Sequence, residues 1–243
     1  TLFIPQSWLS ETTAKTGLFS FFGLSNFALV WYNDSYFSPR IEFNPFVHTW
    51  SLSVEEQFYL LFPLIFFIWY KFKHYPNKYV SYLSKYLLAI FLLGSFIYSI
   101  YETTYNPTKA YYLIFSRFWE LGAGALLFKL HSGHKLIFSH KFIVNVFIIF
   151  GTALLVFACF YSNEKHFPFP WAIPGVISAL LLIIGFVSNK KNVNIFTFIY
   201  ENKLMLYIGQ ISYSLYLWHW SVYVLFRWTI GLDSLYTMIL ATL

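Results

Sequence analysis

Long apolar blocks separated by short polar loops run through most of the chain, and the blocks lack the 3.6-residue alternation of a helix with one solvated face. A helix crosses a bilayer with about 17–25 mainly apolar residues. On that rule the pattern predicts spans near 54–70, 86–101, 111–130, 142–161, 171–187 and 204–226, with another beginning near 234. The run 17–32 is short and interrupted by Ser25 and Asn26, which predicts a re-entrant or interfacial segment. There is no internal repeat and no low-complexity linker. The expected fold class is all-α, a polytopic transmembrane helical bundle, with about seven spans in a single partial domain over 1–243.

Composition agrees with the pattern. Of 243 residues, 58% are hydrophobic and only 11% are charged, against roughly 25% charged in soluble domains. The first residue is Thr1 and the last stretch, "SLYTMILATL", is apolar, so both ends read as cut from a longer membrane protein. Cys159 is the single cysteine, which excludes an internal disulfide or a cysteine-rich metal site and leaves it as a small buried hydrophobe. The net charge of +6 does not imply nucleic acid, because the lysines fall in loops between spans.

Those loop charges sort by side. Lys71, Lys73, Lys78 and Lys85 follow the first span; Lys129, Lys135 and Lys141 come two spans later, and Lys190, Lys191 and Lys203 two later again. The alternate loops carry Asp34, Glu42, Glu102, Glu164 and Asp233. Excess Lys and Arg mark the cytoplasmic side. The segment "NPFVHTWSLSVEEQFYLLFPLIFF" (44–67), at the far end of the first span from Lys71, is therefore expected to face outward.

Two readings of that segment stand. In the first, Ser53 is an N-cap and Glu56 closes a capping box, both Glu55 and Glu56 favour the helix dipole, and Trp50 and Tyr59 belong to an interfacial aromatic belt. This accounts for each glutamate taken singly, but not for His48, Gln57 and both acids sitting together where the helix enters lipid. In the other, His48, Glu55, Glu56 and Gln57 line a polar pocket at the outer mouth of a bundle. Ionisable groups inside a membrane cost roughly 2.5–3.5 kcal/mol each on insertion scales and so mark pathways and sites. A carboxylate beside a histidine orients the ring, and the histidine can then take a proton from a hydroxyl.

Elsewhere, Arg117 and Glu120 are spaced i, i+3 on one helix face, either an internal ion pair or a contact to substrate. Gly122 and Gly124 beside them suit close helix packing, not phosphate binding. His219, in "YLWHW", lies deep in an apolar segment, with Ser212, Tyr213 and Ser214 nearby; the serines are expected to bond carbonyls of their own helix. His131, His134 and His140 sit in a lysine-rich loop without carboxylates or cysteines, which argues against a metal. That loop, with Lys190 and Lys191, could attract the phosphates of a nucleotide, although positive-inside topology predicts the same lysines.

Several of these stretches carry a resemblance. "HTWSLSVEEQFYLLFPL" (48–64) resembles the signature of membrane acyltransferase family 3, the O-acetyltransferases that modify bacterial cell-surface polysaccharides. "SRFWELGAGALL" (116–127) resembles that family's Arg-x-x-Glu-Leu helix, "PGVISALLLIIG" (174–185) its Pro-Gly helix, and "IGQISYSLYLWHWSVYVLF" (208–226) its final signature. The four motifs stand in the family's order. The resemblance implies a multi-pass protein of the bacterial cytoplasmic (inner) membrane, in which acetyl-CoA or another acyl-CoA is the donor. The acceptor is a hydroxyl of an extracytoplasmic polysaccharide such as lipopolysaccharide O-antigen or peptidoglycan.

It implies no permanently bound cofactor and no metal, and partners limited to membrane lipid, acyl-CoA and glycan, with no nucleic acid. It also implies a principal catalytic histidine on a first membrane helix that this chain lacks. His48, Glu55, Glu56, Arg117 and Glu120 are then the expected catalytic support, and Trp50, Ser53, Gln57, Tyr59, Tyr213 and His219 the expected substrate contacts. The competing class is a polytopic transporter or flippase for a glycan or acyl-linked substrate, which would show broken helices in matched halves. A non-catalytic scaffold ranks last, since it leaves the intramembrane charges unexplained.

Overall fold

The computed structural model describes residues 11–32, 41–132, 140–163, 166–188, 202–232 and 234–242. Asp34, His134, Lys135, Glu164, Lys190, Lys191 and Asp233 lie outside the described residues. Among those described there is no strand, so the chain is all-α as expected. Its contacts group into two compact units, Thr1–Gln57 with Lys203–Leu243, and Phe58–Asn202.

In the first unit, α1 (Glu11–Phe21) and α2 (Ser25–Trp31) are followed by a 3-10 turn (Ile41–Phe43) and the start of α3 (Thr49–Phe72). At 11 and 7 residues, α1 and α2 are far shorter than the ~20 residues a span requires. The break between them is at Gly23, whose φ of 65° lies in the left-handed region. The expected interruption at Ser25 and Asn26 has a packing reason. Both are fully buried, and both bond to polar side chains on α3. Ser25 Oγ lies 2.8 Å from Ser53 Oγ, Thr49 Oγ1 donates to Ser25 Oγ at 3.0 Å, and Asn26 and Gln57 exchange amide bonds at 2.9 and 3.3 Å. Gln57 also donates to the Gly23 carbonyl at 3.0 Å.

Residues 49, 53 and 57 are spaced four apart, one stripe of a helix. The ladder they make corrects the capping-box reading. The helix begins at Thr49, so Ser53 sits a full turn inside it, beyond the one- or two-residue uncertainty of helix ends, and its hydroxyl donates to the Thr49 carbonyl at 3.2 Å. Later in the same unit come α9 (Lys203–Thr229) and α10 (Leu235–Thr242).

The second unit takes the remainder of α3, then α4 (Lys78–Tyr105), α5 (Pro107–Tyr112), α6 (Ile114–Ser132), α7 (Lys141–Tyr161) and α8 (Ala172–Ser188). Asn77 caps α4, accepting from the Tyr79 amide at 2.9 Å. The span expected from residue 111 instead starts at 114, because Leu113 is extended (φ −83°, ψ 140°) and separates short α5 from α6. Glu102, expected in an outer loop, lies within α4 and is 6% exposed. Close approach of α7 and α8 rests on small residues: a Cβ on Gly185 would strike Ile148, one on Gly151 would meet Leu181 and Leu182, and Ser178 Oγ donates to the Gly151 carbonyl at 2.9 Å. The helices α4 and α6 are joined by Ser95, which donates to the Phe115 carbonyl at 2.7 Å and accepts from the Trp119 amide at 3.1 Å.

Helices α3, α4 and α7 are long and apolar enough to cross a membrane, and α8 is a shorter apolar helix. Helices α6 and α9 have the length (19 and 27 residues) but carry polar residues such as Arg117, Glu120, Lys203 and Gln210. Large apolar side chains of the spans, among them Phe67, Phe142 and Phe160, are exposed, and exposed apolar area of this extent suits lipid, not water. Cys159 shares that outward surface; it is exposed and not buried as expected, because a spanning helix presents apolar residues to lipid as well as to its neighbours.

Candidate active site

In the first unit the segment 42–51 meets one face of α9. Tyr216, His219, Trp220, Tyr223 and Arg227 follow the i, i+3, i+4, i+7, i+11 spacing of a single helical stripe. Arg227 Nη1 donates to the Glu42 carbonyl at 2.9 Å and Nη2 pairs with its carboxylate at 3.4 Å. Trp220 Nε1 donates to the Asn44 carbonyl at 2.9 Å. Asn44 is held from both sides: its Oδ1 accepts from the Phe46 amide at 3.0 Å and its Nδ2 donates to Thr16 at 3.3 Å. The Tyr216 hydroxyl donates to the His48 carbonyl. With its one proton committed there, it accepts from Ser51 Oγ at 2.5 Å.

These bonds bring His48 and His219 together, with ring centroids 5.8 Å apart and Tyr216 within 5.6 Å of each. His48 is 6% exposed. Neither of its ring nitrogens makes a well-formed hydrogen bond, although the Pro45 and Leu217 carbonyls lie near it. Burial foremost, and then the neighbouring His219, pull its pKa down to about 4. His48 is thus a neutral imidazole at neutral pH. His219 is exposed, and its Nδ1 is 2.6 Å from the Tyr216 carbonyl. A carbonyl only accepts, so Nδ1 carries a proton, and in that tautomer Nε2 is the acceptor. A cavity of about 690 Å³, lined in part by Glu42, Trp220, Tyr223 and Arg227, opens beside this stripe.

Of the other expected residues here, Gln57 and Ser53 belong to the ladder with α2, and Trp50 is buried. Glu55 and Glu56 are exposed on the second turn of α3, and the Glu56 carboxylate lies against Gly23. Tyr213 is exposed one turn before Tyr216. Ser212 bonds the Gly209 carbonyl of its own helix at 2.8 Å, as expected. Tyr216, Ser51 and Asn44 were not singled out from sequence. Their signal was the helical stripe around "YLWHW", which becomes specific only once its partner segment is known.

In the second unit, Arg117 and Glu120 form the expected pair, Nη2 to Oε2 at 2.8 Å, each side chain 15% exposed. Arg117 is further held by the Tyr111 carbonyl at 3.4 Å and lies over the Phe167 and Tyr111 rings at 5.0 and 5.8 Å. Gly122 packs on Leu92 as expected, but a Cβ on Gly124 would meet nothing within 4 Å. Gly124 opens on a cavity instead. Tyr59, also in this unit, is exposed. His131 lies in the last turn of α6 and His140 precedes α7.

A family model described as an acyltransferase domain matches residues 7–243. The chain belongs to this family, acyltransferase family 3. It is 31% identical to the O-acetyltransferase OatA of Staphylococcus aureus over 86% of its own length and 34% of that protein's. With the peptidoglycan O-acetyltransferase OatA of Listeria monocytogenes it shares 27% identity, over 85% of the chain and 33% of the relative. An uncharacterised protein of Haemophilus influenzae is 36% identical over 63% of the chain and 60% of the relative. The chain thus spans between a third and three fifths of these relatives. No solved structure matches it.

Proposed function

We propose that the full protein is a membrane O-acyltransferase of the bacterial cytoplasmic membrane. It moves an acetyl or other acyl group from cytoplasmic acyl-CoA to a hydroxyl of an extracytoplasmic glycan, such as lipopolysaccharide O-antigen or peptidoglycan. The names of the two OatA relatives support the acetyl group, and the Listeria name supports peptidoglycan as one acceptor. We take the two units as parts of one acyltransferase domain, as the single family match over 7–243 supports. The side with few lysines, which holds the start of α3, is the extracytoplasmic side.

The observation that carries the proposal is the histidine pair. Tyr216 and His48, 168 positions apart, are joined by a hydrogen bond, so two motifs from opposite parts of the chain build one polar site. In the reaction the acceptor O–H gives its proton to a histidine, its oxygen bonds the thioester carbonyl carbon, and the C–S bond breaks to release CoA thiolate, which is then protonated. The base is the histidine that the family places on its first membrane helix, oriented by Glu55 or Glu56. His219 Nε2 accepts from a neighbouring hydroxyl of the acceptor sugar, and neutral His48 with Tyr216 fixes where His219 stands. Arg117 and Glu120 act on the acceptor side.

An acetylation assay on membranes holding the full protein tests these roles. Glu55→Gln and Glu56→Gln, at expression equal to wild type, should between them include a variant that forms product about 100-fold more slowly, as removal of acid–base support does. Near-normal product from both overturns the assignment of the glutamates.

A further inference from the structure

We infer that the cavity between the middle of α6, the end of α7 and the first three turns of α8 is a monosaccharide subsite, with Glu120 as hydrogen-bond acceptor and Trp171 and Phe167 as its aromatic walls. The inference deepens the proposed function and rests on it for the biological role, though not for binding itself. The cavity measures about 330 Å³ and includes Glu120, Gly124, Ser162, Phe167, Trp171 and Gly175 in its lining. Small-molecule sites run from roughly 300 to 1,000 Å³, so this one suits a single ring.

Two features show that the space is not loose packing. A Cβ on Gly124 or Gly175 would meet nothing within 4 Å, whereas at Gly122, Gly151 and Gly185 the neighbouring helix fills the space. Glycines on the same helices therefore do different work, and those at the cavity keep it open where protein interiors otherwise close. Glu120 is the second feature. Arg117 holds its Oε2 at 2.8 Å, while Oε1 is buried with no hydrogen-bond partner. A buried carboxylate oxygen without a donor is costly, and a ligand hydroxyl would relieve it.

Charge decides the ligand class. Among the described lining residues Glu120 is the ionisable one, and Arg117 already balances its charge, so a charged ligand would find no unpaired counter-ion. A neutral ligand with several O–H donors and an apolar ring face satisfies both the carboxylate and the aromatic walls. Position agrees. Among the described residues of this unit Lys78, Lys85, Lys129 and Lys141 stand at the opposite helix ends, where Lys129 bonds the Lys85 carbonyl at 2.8 Å, and Lys109 is the lysine on a helix next to the cavity end. On the orientation proposed above, the cavity opens toward the glycan.

The test is equilibrium binding of N-acetylglucosamine, methyl β-glucoside and methyl β-galactoside to the full protein in lipid nanodiscs, with phosphocholine and pantetheine as competing probes. At least one sugar should bind saturably. Glu120→Gln and Trp171→Ala should each weaken it about tenfold, the size of one charge-assisted bond or one stacked ring. Gly124→Leu, which fills open space, should abolish binding while the melting temperature stays at the wild-type value. The subsite is overturned if no sugar binds, if Gly124→Leu binds normally, or if phosphocholine or pantetheine binds in place of sugar. Sugar binding by a protein that transfers no acyl group would refute the proposed reaction and leave the subsite intact. Acyl transfer with an unchanged acceptor KM in Glu120→Gln would do the reverse.

Discussion

His48 concentrates the chemistry of the first unit in one side chain. Buried beside a second histidine, it has a pKa lowered from 6.5 to about 4, so the folded state binds its proton less tightly than the unfolded chain does. The stability contributed by neutral His48 is complete above about pH 6.5 and is lost as pH falls from there through 4. Melting temperatures in detergent should therefore drop between pH 7 and pH 4 for the wild type, and His48→Gln should remove part of that drop. An equal drop in both proteins would mean that His48 stays solvated. The sequence made His48 and His219 suspects separately, through ionisable groups set in apolar runs. It could not pair them, since the bond from Tyr216 to the His48 carbonyl joins residues 168 positions apart. Glu102 was misread for a related reason. A charge near a span end looks like a loop residue until the helix is seen to run on to Tyr105.

Among the elements, the start of α3 is where local pattern and packing disagree most. Ser53 followed by Glu56 has the form of a cap, yet the helix already begins at Thr49, and 49, 53 and 57 form a polar stripe against α1 and α2. Small hydroxyl and amide groups hold helices together where apolar contact gives no advantage over lipid. Gln57→Leu would remove the bonds that Gln57 makes to the Gly23 carbonyl and the Asn26 side chain at 2.9–3.3 Å, and should cost about 2 kcal/mol. Tyr59→Leu, exposed two positions on, should stay within about 0.5 kcal/mol. Thermal unfolding of the two variants in one detergent checks the contrast. The centres of the spans were legible because apolar length alone sets them. The ladder partners of Ser25 and Asn26 were not, since they lie 24 to 31 positions away on α3, and the break at Leu113 falls inside an apolar run that gives no sign of it.

In the whole molecule, helices fit for lipid and a family match over 7–243 occur together with ionisable groups placed inside or at the ends of helices. Each group has a physical cost that a purely structural protein would have little reason to carry. Acyl transfer and glycan transport both explain such groups, and they differ in what happens to the donor's covalent bond. The decisive measurement uses the full protein in sealed vesicles, with acyl-labelled CoA on the cytoplasmic face and unlabelled glycan on the other. Acyl transfer should leave label covalently attached to glycan hydroxyls, release one free CoA thiol for each ester formed, and lose both in the impaired glutamate variant. Glycan that crosses the membrane unmodified, with the thioester intact, would contradict it.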